Sequence, residues 1–244
     1  MRTEERFCGD IYGKLWLPDA AERPPLAIFA HEVGCTHASA QPWAEHLAGE
    51  GWAVYAPDFR GGSEHGRSPG ATTDMSALTE ADDLAEVFAA AAAWGDVDGA
   101  RPLLIGASQG GFSAAIYAGR NPERVRALIL LYPGFNMPDA LRAGREDPAD
   151  VPETFDLHGW LTVGRRYFTD LWSYDPWAET LGYPGRVLIL HGAKDALVPP
   201  EYSRRAAEGY ARAELCLHPT AAHMFRGKEV DWALERIDRF LREI

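Results

Sequence analysis

Ser108, Asp195 and His223 are a hydroxyl, a carboxylate and an imidazole, the three groups that together can cleave an acyl bond. A serine hydroxyl is a poor nucleophile until a neighbouring imidazole takes its proton, and the imidazole is held to that task by a carboxylate. Ser108 closes the run Leu103-Leu104-Ile105-Gly106-Ala107-Ser108-Gln109-Gly110-Gly111, in which a buried-strand pattern stops at a serine fenced by glycines and a helix begins. A serine at such a sharp turn takes a strained backbone conformation, so the residues two before and two after it must be small, as Gly106 and Gly110 are. The same turn aims the first helical N–H groups, beginning with that of Gln109, at the space where an oxyanion would form.

The remaining groups follow later strands. Val187-Leu188-Ile189-Leu190 runs into a loop carrying Asp195, and Leu215-Cys216-Leu217 runs into one carrying His223. Serine, then acid, then base, each after a carboxyl strand end, is the chain order of a doubly wound hydrolase. Of the eight histidines, His191 reads as a structural residue at a strand end, and His218 as a strand-end or surface residue and the remaining alternative base. A second oxyanion donor should come from the loop after an early strand, Ala30-His31-Glu32-Val33-Gly34, where the Val33 N–H is the candidate. Glu32 is unexpected beside a site for negative charge and should be turned away or paired. His31-Glu32 also resembles the start of a zinc-protease motif, but the second histidine position holds Cys35 and the segment is a glycine turn rather than a helix. No metal and no other cofactor is expected.

These groups need a sheet to carry them. Apolar β-rich runs at 26–30, 52–56, 103–107, 125–131, 187–190 and 213–217 alternate with helical patterns at 42–50, 78–94, 109–120, 201–209 and 228–244. That alternation predicts a mostly parallel α/β sheet with helices on both faces. The first 25 residues read as an antiparallel hairpin at the sheet edge. With 244 residues, 46% of them hydrophobic, the chain can bury a core as a single domain over 1–244. The formal charge of −12 argues against nucleic acid and anionic membrane surfaces as partners. Three scattered cysteines fit neither a disulfide framework nor a metal knuckle, and no secretion signal or membrane-length apolar stretch is present. A cytoplasmic location is expected, with a small-molecule partner; a homodimer stays open.

One region breaks the rhythm. From Tyr132 to Gly185, prolines and aromatic residues recur without a strand signal. Roughly fifty residues exceed an ordinary connection of about 2–6, so the stretch 133–185 reads as an insertion leaving the sheet after the sixth strand. Most of its rings should pack the insertion onto the body, but its position lets it roof the serine as a lid, with a pocket for a flat apolar acyl group. Trp160 is assigned to that pocket.

The chain resembles the α/β-hydrolases, and within them the intracellular bacterial cinnamoyl or feruloyl esterases. The resemblance rests on Asp58-Phe59-Arg60-Gly61-Gly62-Ser63, Thr72-Thr73-Asp74-Met75-Ser76 with Leu78-Thr79-Glu80, the Ser108 motif, and His191-Gly192-x-x-Asp195. It implies an α/β-hydrolase fold and a serine carboxylesterase acting on small hydroxycinnamoyl-type esters such as feruloyl or caffeoyl. Pro138-Asp139-Ala140-Leu141 and Gly164-Arg165-Arg166-Tyr167 resemble the lid segments whose Asp and Tyr hold the phenolic hydroxyl, which assigns that role to Asp139 and Tyr167. The chain departs from the family in having His31-Glu32 where His-Gly is usual, and in a tryptophan-rich lid. Dienelactone-hydrolase-like activity, a related serine peptidase and a hydrolase-fold binding module are the alternatives; Ser108, where dienelactone hydrolases usually carry Cys, and the absence of an evident peptide clamp weigh against the first two, and the intact Ser, Asp and His against the third.

Overall fold

A computed structural model describes residues 1–19, 22–157 and 159–244. In chain order the elements are β1 (Arg2–Cys8), β2 (Ile11–Leu17), β3 (Pro25–Ala30), α1 (Gln41–Gly49), β4 (Ala53–Pro57), α2 (Ala77–Ala91), β5 (Asp98–Ala107), α3 (Gln109–Arg120) and β6 (Leu128–Leu131). The inserted segment follows, with α4 (Met137–Arg142), β7 (Thr154–Leu157), β8 (Leu161–Gly164), α5 (Arg166–Trp172) and α6 (Pro176–Thr180). The chain then returns to the sheet through β9 (Val187–Gly192), α7 (Pro200–Gly209), β10 (Ala213–His218) and α8 (Lys228–Leu241).

The main sheet has eight strands in the order β1-β2-β4-β3-β5-β6-β9-β10. The pairs from β4 through β3, β5, β6, β9 and β10 are parallel, whereas β1, β2 and β4 pair antiparallel. This is the α/β-hydrolase sheet, with the N-terminal hairpin at its edge. Side-chain alternation along the strands splits the core into two layers. Leu26, Ile28 and Leu104 face the layer under α2, α3 and the insertion, while Ala27, Phe29, Leu103 and Ile105 face the one under α1 and α8. Burial on both faces explains the near-continuous apolar runs of the central strands.

The insertion is not strand-free. Thr154–Leu157 and Leu161–Gly164 pair antiparallel as a separate two-stranded sheet. Each strand is only four residues long, too short to produce a readable alternation. The hairpin is seated on the body at Gly164, where a side chain would collide with the Thr73 backbone, and at Thr72 Oγ1, which donates to the Thr162 carbonyl at 2.5 Å. Ser76 Oγ donates to Asp170 of α5 at 2.6 Å, tying the start of α2 to the insertion.

Candidate active site

Ser108 has φ 51° and ψ −120°, a conformation L residues rarely adopt, held by the turn from β5 into α3. A Cβ on Gly106 would lie 2.5 Å from the Gly110 carbonyl and 2.7 Å from Ala114 Cβ. A Cβ on Gly110 would run into the carbonyls of Ala30 and His31. The second glycine is therefore required by the close approach of α3 to the end of β3, a long-range constraint added to the local one.

Ser108 Oγ is 2.9 Å from His223 Nε2, and His223 Nδ1 is 2.7 Å from Asp195 Oδ2. Asp195 is buried and well supplied with donors: the Leu197 and Val198 amides reach Oδ1 at 2.9 Å each, and His191 Nε2 reaches Oδ2 at 3.0 Å. Burial by itself would raise the Asp195 carboxyl, but the hydrogen bonds from His191, His223 and the Val198 amide outweigh it and hold the group well below the ordinary carboxylate range. His191, fully buried, also has Ser203 Oγ 2.7 Å from Nδ1. The network thus assigns its proton to Nε2, facing Asp195 and the Val198 carbonyl 3.0 Å away. His218 Nδ1 accepts the Ala221 amide at 3.0 Å, which makes it a strand-end cap remote from the proton path.

Val33 and Gln109 border the same cavity as Ser108. In the Val33 loop the Gly34 amide donates to the Gly62 carbonyl at 2.8 Å and the Cys35 amide to the Glu32 carbonyl at 3.1 Å, while the Val33 N–H meets no backbone acceptor among the described residues. Glu32 is buried and half paired: Tyr132 Oη donates to its Oε1 at 2.8 Å, its Oε2 meets no partner among the described residues, and the Tyr132 ring stands edge-on to His223 with centroids 5.1 Å apart. Burial pushes the Cys35 thiol up to about 12, so it stays protonated at neutral pH.

The cavity encloses about 570 Å³ including its open mouth. Met137, Leu141, Leu157, Leu197 and Val198 give it apolar walls, and Tyr167 reaches it from α5. Asn136 Nδ2 donates to the Leu197 carbonyl at 3.0 Å, joining the start of the insertion to the Asp195 loop. Two residues assigned to the pocket stand elsewhere. Asp139 is engaged by Arg142 and by Tyr202 Oη, each at 2.7 Å, because α4 turns that face toward α7. Trp160 is 51% exposed and its ring lies against Gly34, and the cavity is lined by other residues.

A buried carboxyl adjoins the site. Glu80 of α2 has no exposed surface; Gln109 Nε2 donates to its Oε1 at 2.7 Å, and Ser113 Oγ lies 2.8 Å from its Oε2. The sequence carried the signal, since Glu80 sits on the stripe of Ala77, Ala81, Leu84 and Phe88 that α2 buries. Burial pushes Glu80 up to about 8 from its ordinary 4.5, against the pull of Ser113 and Gln109. The folded state thus keeps a proton that the unfolded chain releases at lower pH. Stability is expected to fall as pH rises through this window, by up to about 1.4 kcal/mol per pH unit. Thermal melts from pH 6 to 8 should show a falling Tm in the wild type and a flatter profile in Glu80→Gln; equal slopes would contradict the assignment.

Comparison with known proteins bears on the family and the fold. The family model described as serine aminopeptidase, S33 matches residues 24–172. A monoacylglycerol lipase of Mycolicibacterium smegmatis is 27% identical over 255 residues, covering 88% of this chain and 87% of that one. Among solved structures, Est1E of Butyrivibrio proteoclasticus with bound ferulic acid superposes with a TM-score of 0.87 at 24% identity, covering 98% of both chains. The esterase Est2 of Thermogutta terrifontis gives a TM-score of 0.69 at 23% identity, covering 99% of this chain and 92% of the other. The family model spans more than half of the chain, and the chain belongs to the serine aminopeptidase S33 family of α/β-hydrolase serine hydrolases.

Proposed function

We propose that the protein is a serine carboxylic ester hydrolase acting on small aromatic esters of the hydroxycinnamoyl type. The observation that carries this reading is the Ser108–His223–Asp195 chain of contacts, 2.9 and 2.7 Å, opening onto a largely apolar cavity that Tyr167, Gln109 and Asn136 also line. His223, oriented through Nδ1 by Asp195, takes the Ser108 proton as Oγ attacks the ester carbonyl. The Gln109 and Val33 N–H groups receive the developing oxyanion. His223 then protonates the departing alcohol, and water repeats the attack on the acyl-enzyme.

The cavity walls suit a flat ring, and the likeness to Est1E, solved with ferulic acid, supports an aromatic acyl group. The same walls favour a second reading, an unbranched acyl chain as in a monoacylglycerol lipase. Methyl ferulate, chlorogenate, p-nitrophenyl acetate and monocaprylin, assayed together, separate the two. Aminoacyl anilides test for peptidase activity, and labelling of Ser108 by a fluorophosphonate tests for a competent nucleophile. The aromatic reading requires kcat/KM to be highest on the hydroxycinnamates; preference for monocaprylin overturns it. Tyr167→Phe is expected to weaken turnover of p-hydroxycinnamate esters by about tenfold more than that of short aliphatic esters, since the phenol is the group that meets Tyr167. Equal losses would remove Tyr167 from substrate recognition.

A further inference from the structure

The acyl-transfer steps make no use of Glu80, yet its buried carboxyl holds the side chain of Gln109, which lines the site. Gln109 Nε2 lies 2.7 Å from Glu80 Oε1, and Gln109 Oε1 lies 2.7 Å from Tyr167 Oη. A carboxamide nitrogen can only donate and its oxygen only accept; Gln109 Nε2 is set toward two acceptors, Glu80 Oε1 and Met75 Sδ 3.2 Å away, so the oxygen end of the amide faces Tyr167. Tyr167 must then donate its single proton to Gln109. What its hydroxyl has left for any further partner is a lone pair, and Tyr167 is one of the residues that line the cavity.

The rest of the network closes consistently. Ser113 Oγ is 2.8 Å from Glu80 Oε2 and 3.1 Å from the Gln109 carbonyl. With Glu80 in its acid form, the carboxyl donates to Ser113, Ser113 donates to the Gln109 carbonyl, and each donor in the chain has an acceptor. The groups facing Glu80 agree: α3 presents Gln109 and Ser113, α5 presents Tyr167, and Asp83 on α2 is paired with Arg60 at 2.8 Å.

We propose that Glu80 is a positioning residue that acts through the Gln109 carboxamide to hold the Tyr167 hydroxyl as an acceptor toward the acyl cavity, so that the enzyme selects acyl groups bearing a hydroxyl donor over those whose oxygen is methylated. The inference rests on the ester-hydrolase reading of the same cavity. A phenol gives its proton to the Tyr167 oxygen, whereas an aryl methyl ether offers only a second lone pair and leaves both oxygens desolvated without a bond.

The test is the ratio of kcat/KM for methyl 4-hydroxycinnamate to that for methyl 4-methoxycinnamate, a ratio from which general losses of folding or elbow geometry cancel. Wild type is expected to favour the hydroxy ester by about tenfold or more. Glu80→Gln reproduces the acid form, with a nitrogen donating to Ser113, and keeps the ratio. Glu80→Leu frees the Gln109 amide to turn and brings the ratio to within about twofold of unity, as does Tyr167→Phe, and the double variant falls no further. Should Glu80→Leu fail to fold, Gln109→Met cuts the same chain at its middle while keeping the backbone N–H. A wild-type ratio near unity, or a wild-type ratio surviving in Glu80→Leu or, failing that, in Gln109→Met, overturns the inference. Cleavage of p-nitrophenyl acetate that depends on Ser108 would in that event leave the ester-hydrolase reading standing; absence of Ser108-dependent cleavage of every ester overturns both.

Discussion

Ser108→Ala is expected to lower kcat on p-nitrophenyl acetate by at least about 10³-fold while the fold survives. Removing Oγ removes the atom that bonds to the acyl carbon, and His223, 2.9 Å away, is left with no proton to accept from the chain. The residual rate would come from binding and from the Gln109 and Val33 amides acting on attack by water. The backbone demand at the elbow is the same for alanine as for serine, because both carry a Cβ at φ 51°. Melting curves and circular dichroism should therefore match the wild type closely. Turnover near the wild-type rate would remove Ser108 from the chemistry.

Asp195→Asn is expected to cost nearly as much, roughly 10³- to 10⁴-fold in kcat, for a reason of proton placement rather than charge alone. The Leu197 and Val198 amides both donate to Oδ1, so only the carboxamide oxygen can take that place. The new NH₂ must then occupy the place of Oδ2, facing His223 Nδ1 and His191 Nε2. His223 can satisfy that neighbour only by giving up its Nδ1 proton and carrying one on Nε2, where it cannot act as a base toward Ser108. His191 keeps the Val198 carbonyl as acceptor, so the loop itself should hold. Steady-state kinetics beside a melting curve check the expectation; a loss below about tenfold would show that Asp195 does not set the His223 tautomer.

Legibility in the sequence divided along a physical line. The elbow could be read because a strained serine demands small neighbours within two positions on either side, and Asp195 and His223 could be read because each follows a β-rich strand, β9 fully buried and β10 half-buried at the sheet edge. The groups brought together by tertiary approach were harder. Asp139 was placed in the pocket by its likeness to a lid segment, but which face α4 turns to the cavity depends on Tyr202 and Arg142. Trp160 sits in a hairpin whose four-residue strands are too short for periodicity to register, and it rests on Gly34. The pairing of Glu32 depends on Tyr132, a hundred positions along the chain. Glu80 broke the apolar pattern of its helix visibly, yet its partners lie on α3 and their connection to Tyr167 needs the folded insertion.

The sheet order has a consequence for how the protein is made. Ser108, the Val33 loop and most of the cavity wall precede β9, while the acid and base are carried on loops after β9 and β10, the last two strands added to one edge. Until those loops are in place, Ser108 has neither imidazole nor carboxylate at hand and remains an ordinary alcohol. Reactivity arrives as a late event, when the final strands dock and bring the imidazole to the hydroxyl.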